Sequence, residues 1–134
     1  MREVTVSRFV RAPPSVVRPL LTPASLVAYE GSFAVRAVDE RGDATVVTAG
    51  AGGLELALRF EERADGWYYR QEGEAGPFDA METWVTVEPK DEGSRVTMRS
   101  AVDLGLPLPF SGRLAAWKRR GELKRALSAL AADC

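Results

Sequence analysis

Leu54-Glu55-Leu56-Ala57-Leu58-Arg59-Phe60-Glu61, then Glu62-Arg63-Ala64-Asp65-Gly66, then Trp67-Tyr68-Tyr69-Arg70-Gln71, is the stretch that decides the kind of chain this is. Leu54, Leu56, Leu58 and Phe60 alternate with Glu55, Ala57, Arg59 and Glu61, a period of two that puts one strand face on a core and the other in water. Ala64-Asp65-Gly66 carries turn chemistry, so the aromatic run that follows folds back as the second arm of a hairpin. Its loop length sets which side chains go inside. A four-residue loop, Arg63 to Gly66, pairs Glu62 with Trp67 and sends Trp67, Tyr69 and Gln71 inward. A three-residue loop sends Tyr68 and Arg70 inward instead. We take the first.

Working outward, the same strand-and-turn grammar continues on both sides. Upstream, 33–38 and 45–49 read as strands, separated by Asp39-Glu40-Arg41-Gly42-Asp43 and ended by Gly50-Ala51-Gly52-Gly53. Downstream, 81–87 and 95–104 read as strands around the turn Pro89-Lys90-Asp91-Glu92-Gly93. The chain opens with Val4, Val6 and Val10 on one parity, a strand ended by Pro13-Pro14, which cannot donate to a ladder. Pro13 and Pro14 fix φ near helical values, so a short helix starts there, and a second runs roughly from Pro23 to Tyr29, ending before Gly31. That makes about seven strands, six in an unbroken antiparallel run.

Residues 112–132 contain no proline and are rich in Leu, Ala, Lys, Arg and Glu, which predicts a long helix. Its apolar residues form two clusters. Leu114, Trp117 and Gly121 lie on one side, and Leu123, Leu127 and Leu130 lie roughly opposite. Either the helix bends near Gly121 or both sides are covered. The reading adopted is a helix gripped by a curved sheet, its first half facing an interior space.

Composition narrows the function classes. The 134 residues are 46% apolar and 28% charged, with 19 acidic against 18 basic side chains, so no basic field exists to hold nucleic acid. That length suits one domain, 1–134. With no histidine, histidine-based triads and histidine-liganded zinc are excluded. Cys134 is the single cysteine, which excludes an internal disulfide and a cysteine-ligated metal. No metal and no cofactor are expected. No apolar run reaches the roughly 20 residues that span a bilayer, and Met1 leads straight into Arg2-Glu3, so a cytoplasmic location is expected.

Strand, short helix pair, six antiparallel strands and long terminal helix is the element order of the helix-grip fold, an α+β architecture. The opening Val4-Thr5-Val6-Ser7-Arg8-Phe9-Val10-Arg11-Ala12-Pro13-Pro14-Ser15-Val16-Val17 resembles the first strand and helix start of the START-like (SRPBCC) superfamily. Gly76-Pro77-Phe78, Trp84-Val85-Thr86-Val87-Glu88-Pro89 and Gly93-Ser94-Arg95-Val96-Thr97-Met98 are similar to its late hairpin. The resemblance covers essentially the whole chain and points to the polyketide cyclase/dehydrase and coenzyme-Q-binding branches. It implies a hydrophobic cavity between sheet and long helix.

Parity then assigns the walls of such a cavity: Leu56, Leu58 and Phe60; Trp67, Tyr69 and Gln71; Met81, Thr83 and Val85; Met98 and Ser100; and, from the helix, Leu114 and Trp117. Tyr69, Gln71, Thr83 and Ser100 supply the few polar groups that orient an apolar ligand, and the methionines an adaptable lining. The expected function is carriage or sequestration of a small hydrophobic molecule such as a lipid, isoprenoid or polyketide-like compound. A cyclase or dehydratase acting on such a ligand is the first alternative, and a protein-binding module the second.

An enzyme needs a general acid or base. No catalytic residue is assigned, because Glu55, Glu61, Glu82, Glu88, Asp91 and Glu92 fall on outward parities or in turns, and Glu72 and Glu74 on a solvated edge. Arg70 or Arg18 inside the cavity would be a sharper signal, since a buried guanidinium demands a partner. Lys118-Arg119-Arg120 with Lys124-Arg125 reads as solvated helix surface, with transient contact to lipid headgroups or an acidic protein as the alternative. Leu104 to Phe110 is a candidate gate over the cavity mouth. Gly50 to Gly53 opens no helix and is not a phosphate loop.

Overall fold

In the computed structural model, described for residues 2–73, 78–104 and 111–134, the chain forms seven strands and three helices. Strand β1 spans Arg2–Val10, and helices α1 and α2 span Pro14–Leu20 and Pro23–Glu30. Strands β2 to β7 follow as Ala34–Arg41, Ala44–Ala51, Leu54–Arg63, Gly66–Glu72, Ala80–Lys90 and Gly93–Asp103, and α3 spans Ser111–Asp133. The expected gate from Leu104 to Phe110, beyond Leu104 itself, lies outside the described residues, as do Glu74 and Gly76-Pro77.

Each strand pairs antiparallel with its neighbour in the order β1-β7-β6-β5-β4-β3-β2, so the first strand closes against the last. Glu62 pairs with Trp67, the expected register, but Arg63 also pairs with Gly66, so the loop is the two residues Ala64-Asp65 rather than four. Gly66 is required by proximity: a Cβ there would lie 1.8 Å from the Val85 carbonyl oxygen. Register aligns one row of inward positions across the whole sheet: Glu40, Thr45, Phe60, Tyr69, Thr83, Ser100 and Val4.

Local signals place the short helices. Thr22 caps α2, accepting from the Ser25 amide at 3.1 Å while the Ser25 hydroxyl accepts from the Thr22 amide at 2.9 Å. Gly31, at φ +80°, ends α2 in the left-handed conformation that a side chain would strain. Helix α3 runs unbroken through Gly121 and packs on β1, β7 and α2. Leu123, Leu127 and Leu130 face that core, each contributing roughly 1.5–3 kcal/mol by burial.

The other apolar cluster of α3 corrects the sequence reading. Leu114 is 54% exposed and Trp117 74% exposed, so neither faces an interior space. The inner face of the helix is instead Ala115, Arg119, Glu122, Leu123, Ala126, Leu127 and Leu130. Arg119, read as solvated surface, is 1% exposed. Two ionic side chains thus occupy positions that hydrophobicity alone assigns to leucine and tryptophan.

Candidate functional site

Three elements bring their side chains to one point on the concave face. The row on β4 to β7 supplies Phe60, Tyr69, Thr83 and Ser100. Glu30 comes from the last turn of α2, and Arg119 and Glu122 from α3, three residues apart and hence on one helix face. Arg119 uses all five of its N–H donors. Its Nε donates to Ser100 Oγ at 3.0 Å. Nη2 donates to Tyr69 Oη at 2.9 Å and Thr83 Oγ1 at 2.7 Å, and Nη1 donates to Glu122 Oε1 at 3.0 Å and to Glu30 Oε1.

The acceptors are closed in turn. The Tyr69 hydroxyl donates to Glu30 Oε2. Glu122 Oε2 accepts from Ser32 Oγ and from Lys118 Nζ at 3.5 Å. Arg125 Nε donates to the Glu30 carbonyl at 2.8 Å, tying the end of α2 to α3. Among the described residues, no buried side-chain nitrogen or oxygen lacks a partner.

Burial and charge set the protonation states. Burial opposes the charge of Arg119, but the Glu30 carboxylate, with Tyr69 and Glu122, overcomes it and holds the group well above its ordinary range. Burial likewise opposes ionisation of Glu122, yet the Arg119 charge, with the Ser32 and Arg119 hydrogen bonds, lowers its pKa. Tyr69 moves upward, first by burial and then by the Glu30 carboxylate, so it is a neutral donor at neutral pH.

Beside this cluster runs an aromatic ladder. The Tyr69 ring stacks on Phe60 with centroids 4.4 Å apart, and Phe60 meets Trp67 edge-on at 6.3 Å. Trp67 Nε1 donates to the Leu21 carbonyl at 2.8 Å. Its partly exposed ring forms one wall of an open cleft of about 730 Å³ between the start of α2 and strands β2 to β4. Thr22, Pro23, Ala24, Val38 and Thr45 complete the wall, and Glu40, Asp43, Glu61, Glu62 and Arg63 form a charged rim. Cleft and cluster share one sheet row, with Thr45 two strands, about 10 Å, from Tyr69.

Most of the expected lining therefore lies together, but as packed wall. Leu56, Leu58, Phe60, Tyr69, Met81, Thr83, Val85, Met98 and Ser100 are buried and face inward, and Gln71 donates to the Phe78 carbonyl at 2.9 Å. Trp67 borders the cleft, whereas Leu114 and Trp117 stand apart on the outer face of α3. Arg18 and Arg70 are exposed, and Glu72 pairs loosely with Arg59 and Arg70, both at 3.9 Å. Glu30, Arg119 and Glu122 were missed. Their one sequence signal is the spacing of Arg119 and Glu122 on the side of α3 opposite Trp117. Among the described residues, no group of three or more histidine, cysteine or acidic side chains is placed to hold a metal ion.

The comparisons agree with this geometry. The family model described as polyketide cyclase/dehydrase and lipid transport matches residues 1–134. XoxI from Bacillus cereus has a similar structure, with a TM-score of 0.76, 17% identity and coverage of 99% of this chain and 95% of that one. A START superfamily protein from Mycobacterium smegmatis matches with a TM-score of 0.73 at 11% identity, covering 98% and 95%. The di-domain ARO/CYC BexL, from the BE-7585A biosynthetic pathway, matches with a TM-score of 0.67 at 26% identity, over 98% of this chain and 45% of that one. No curated protein matches by sequence. The chain, a seven-stranded antiparallel sheet with a long terminal helix and two short helices after its first strand, belongs to the polyketide cyclase/dehydrase and lipid transport family and has the START-like fold.

Proposed function

We propose that this protein binds a small hydrophobic molecule on the concave face of its sheet, seated in the cleft against Trp67, and acts as a carrier or sequestering domain. The observation that carries the reading is the cleft itself: about 730 Å³, within the range of small-molecule sites, with an indole, a valine and a proline for contact and Thr45 to orient a polar end. The family description, which includes lipid transport, supports the same class of ligand.

A cyclase or dehydratase is the second reading, favoured by the Tyr69 hydroxyl held between Glu30 and Arg119 and by the likeness to BexL. Chemistry weighs against it. An acid–base catalyst works best with a pKa near the working pH, and burial moves Tyr69 away from that. Every Arg119 donor is already used, and Tyr69 has no solvent contact behind Phe60. The cluster is a rigid wall beside the ligand, tying α2 and α3 to the sheet.

Native mass spectrometry of freshly purified protein tests the reading, before and after incubation with a fatty acid, an isoprenoid alcohol and an aromatic polyketide. A stoichiometric adduct released by organic solvent is expected. A bare protein mass with all three compounds would overturn it. Conversion of the bound compound to a new mass would favour the enzyme.

A further inference from the structure

Charge on α3 is sorted by face. Along α3 the cations are Arg113, Lys118, Arg119, Arg120, Lys124 and Arg125, and the carboxylates are Glu122 and the last residue, Asp133. Arg119 and Glu122 are buried together and Asp133, at the helix end, accepts from the Tyr29 hydroxyl, which leaves only cations among the charged side chains around Trp117 on a chain whose net charge is -1. The same face carries Trp117 and Leu114, 74% and 54% exposed and three residues apart. Gly121, without a side chain, leaves a depression of about 340 Å³ walled by Trp117, Lys118, Arg120, Lys124 and Arg125.

We propose that the outer face of α3 docks on an anionic phospholipid bilayer, with Trp117 and Leu114 at the interface and a lipid phosphate in the depression over Gly121. An indole beside long cationic side chains is the pairing that lies at a membrane surface, where the ring takes the boundary and the cations meet phosphate. The face is a convex helix crest, which offers a peptide neither a groove nor a strand edge to lie in. It is separate from the cleft on the concave side, so docking and ligand binding can fail independently.

Vesicle sedimentation of the whole protein at low ionic strength tests the docking, comparing phosphatidylcholine alone with phosphatidylcholine containing about 30% phosphatidylglycerol. Binding to the anionic vesicles only is expected. Each cation near such a surface contributes about fivefold, so Arg120→Gln with Lys124→Gln should lower partitioning about 25-fold. Trp117→Ser, a change in solvent, should lower it with the circular dichroism spectrum unchanged. Equal binding to both vesicles, no binding to either, or wild-type partitioning by both variants would overturn the proposal. So would retention on immobilised polyglutamate without vesicle binding, which would assign the face to an acidic protein.

Discussion

Arg119 donates to Tyr69 Oη at 2.9 Å, joining the terminal helix to a central strand through two side chains that water does not reach. The contact is one of five from a single guanidinium, and it places two carboxylates, Glu30 and Glu122, around one buried charge. Removing one partner of such a group costs far more than replacing the whole group with apolar residues.

Arg119→Met should therefore lower stability by about 3–5 kcal/mol, because it takes the buried cation from Glu30 and leaves Glu122 with Lys118 alone. Adding Glu30→Gln and Glu122→Leu should restore part of the loss. Arg119→Lys should not rescue, since one ammonium cannot reach five acceptors. Urea unfolding of the four proteins checks this, and equal stability of the single and triple variants would remove the cluster's role.

Stability should fall at both ends of the pH scale. Glu122 has a lowered pKa, through Arg119 overcoming the effect of burial, so its contribution is present above its ordinary value of 4.5 and lost as pH falls below that. Tyr29, raised to about 12 by burial and its bond to Asp133, contributes below pH 10 and loses that contribution as pH rises to about 12. Tyr69 shifts in the same direction. Urea midpoints across pH check both limbs, and Glu122→Gln should flatten the acid one.

The sheet was legible because its signals are local. Alternation from Leu54 to Phe60 and the turn at Ala64-Asp65-Gly66 set the register that turns Trp67, Tyr69 and Gln71 inward. The inner face of α3 was not. Its apolar residues point both ways, and what breaks the tie is Glu30, 89 positions earlier, offering Arg119 a buried partner. Run together as Lys118-Arg119-Arg120, the arginine looks like its solvated neighbours, because only long-range contacts make its burial possible. The cleft was illegible for a related reason: empty space depends on how α2 sits over β2 to β4, which no periodicity encodes.

Substitutions on α3 should separate by face. Trp117→Ser and Leu114→Ser should change stability by less than about 0.5 kcal/mol, as surface positions do. Leu123→Ala and Leu130→Ala, at fully buried sites, should each cost about 2–5 kcal/mol. Thermal denaturation distinguishes the two pairs, and a large loss at Trp117 would place the wrong side of the helix inward.

The β6–β7 hairpin should be open to improvement. Asp91 and Glu92 both adopt positive φ, 47° and 66°, a two-residue turn better suited to Asn-Gly. Asp91→Asn with Glu92→Gly should raise stability by about 1 kcal/mol, read as a higher urea midpoint.

Titration with N-phenyl-1-naphthylamine, a neutral apolar fluorophore, tests the seating of a hydrophobic ligand most directly. It should compare the wild type, Trp67→Ala and Val38→Asp, a change at a half-exposed cleft position. Saturable one-to-one binding is expected for the wild type, weakened at least about tenfold in each variant, a loss of about 1.4 kcal/mol. No saturable binding, or the same affinity in all three folded proteins, would contradict a ligand site at Trp67.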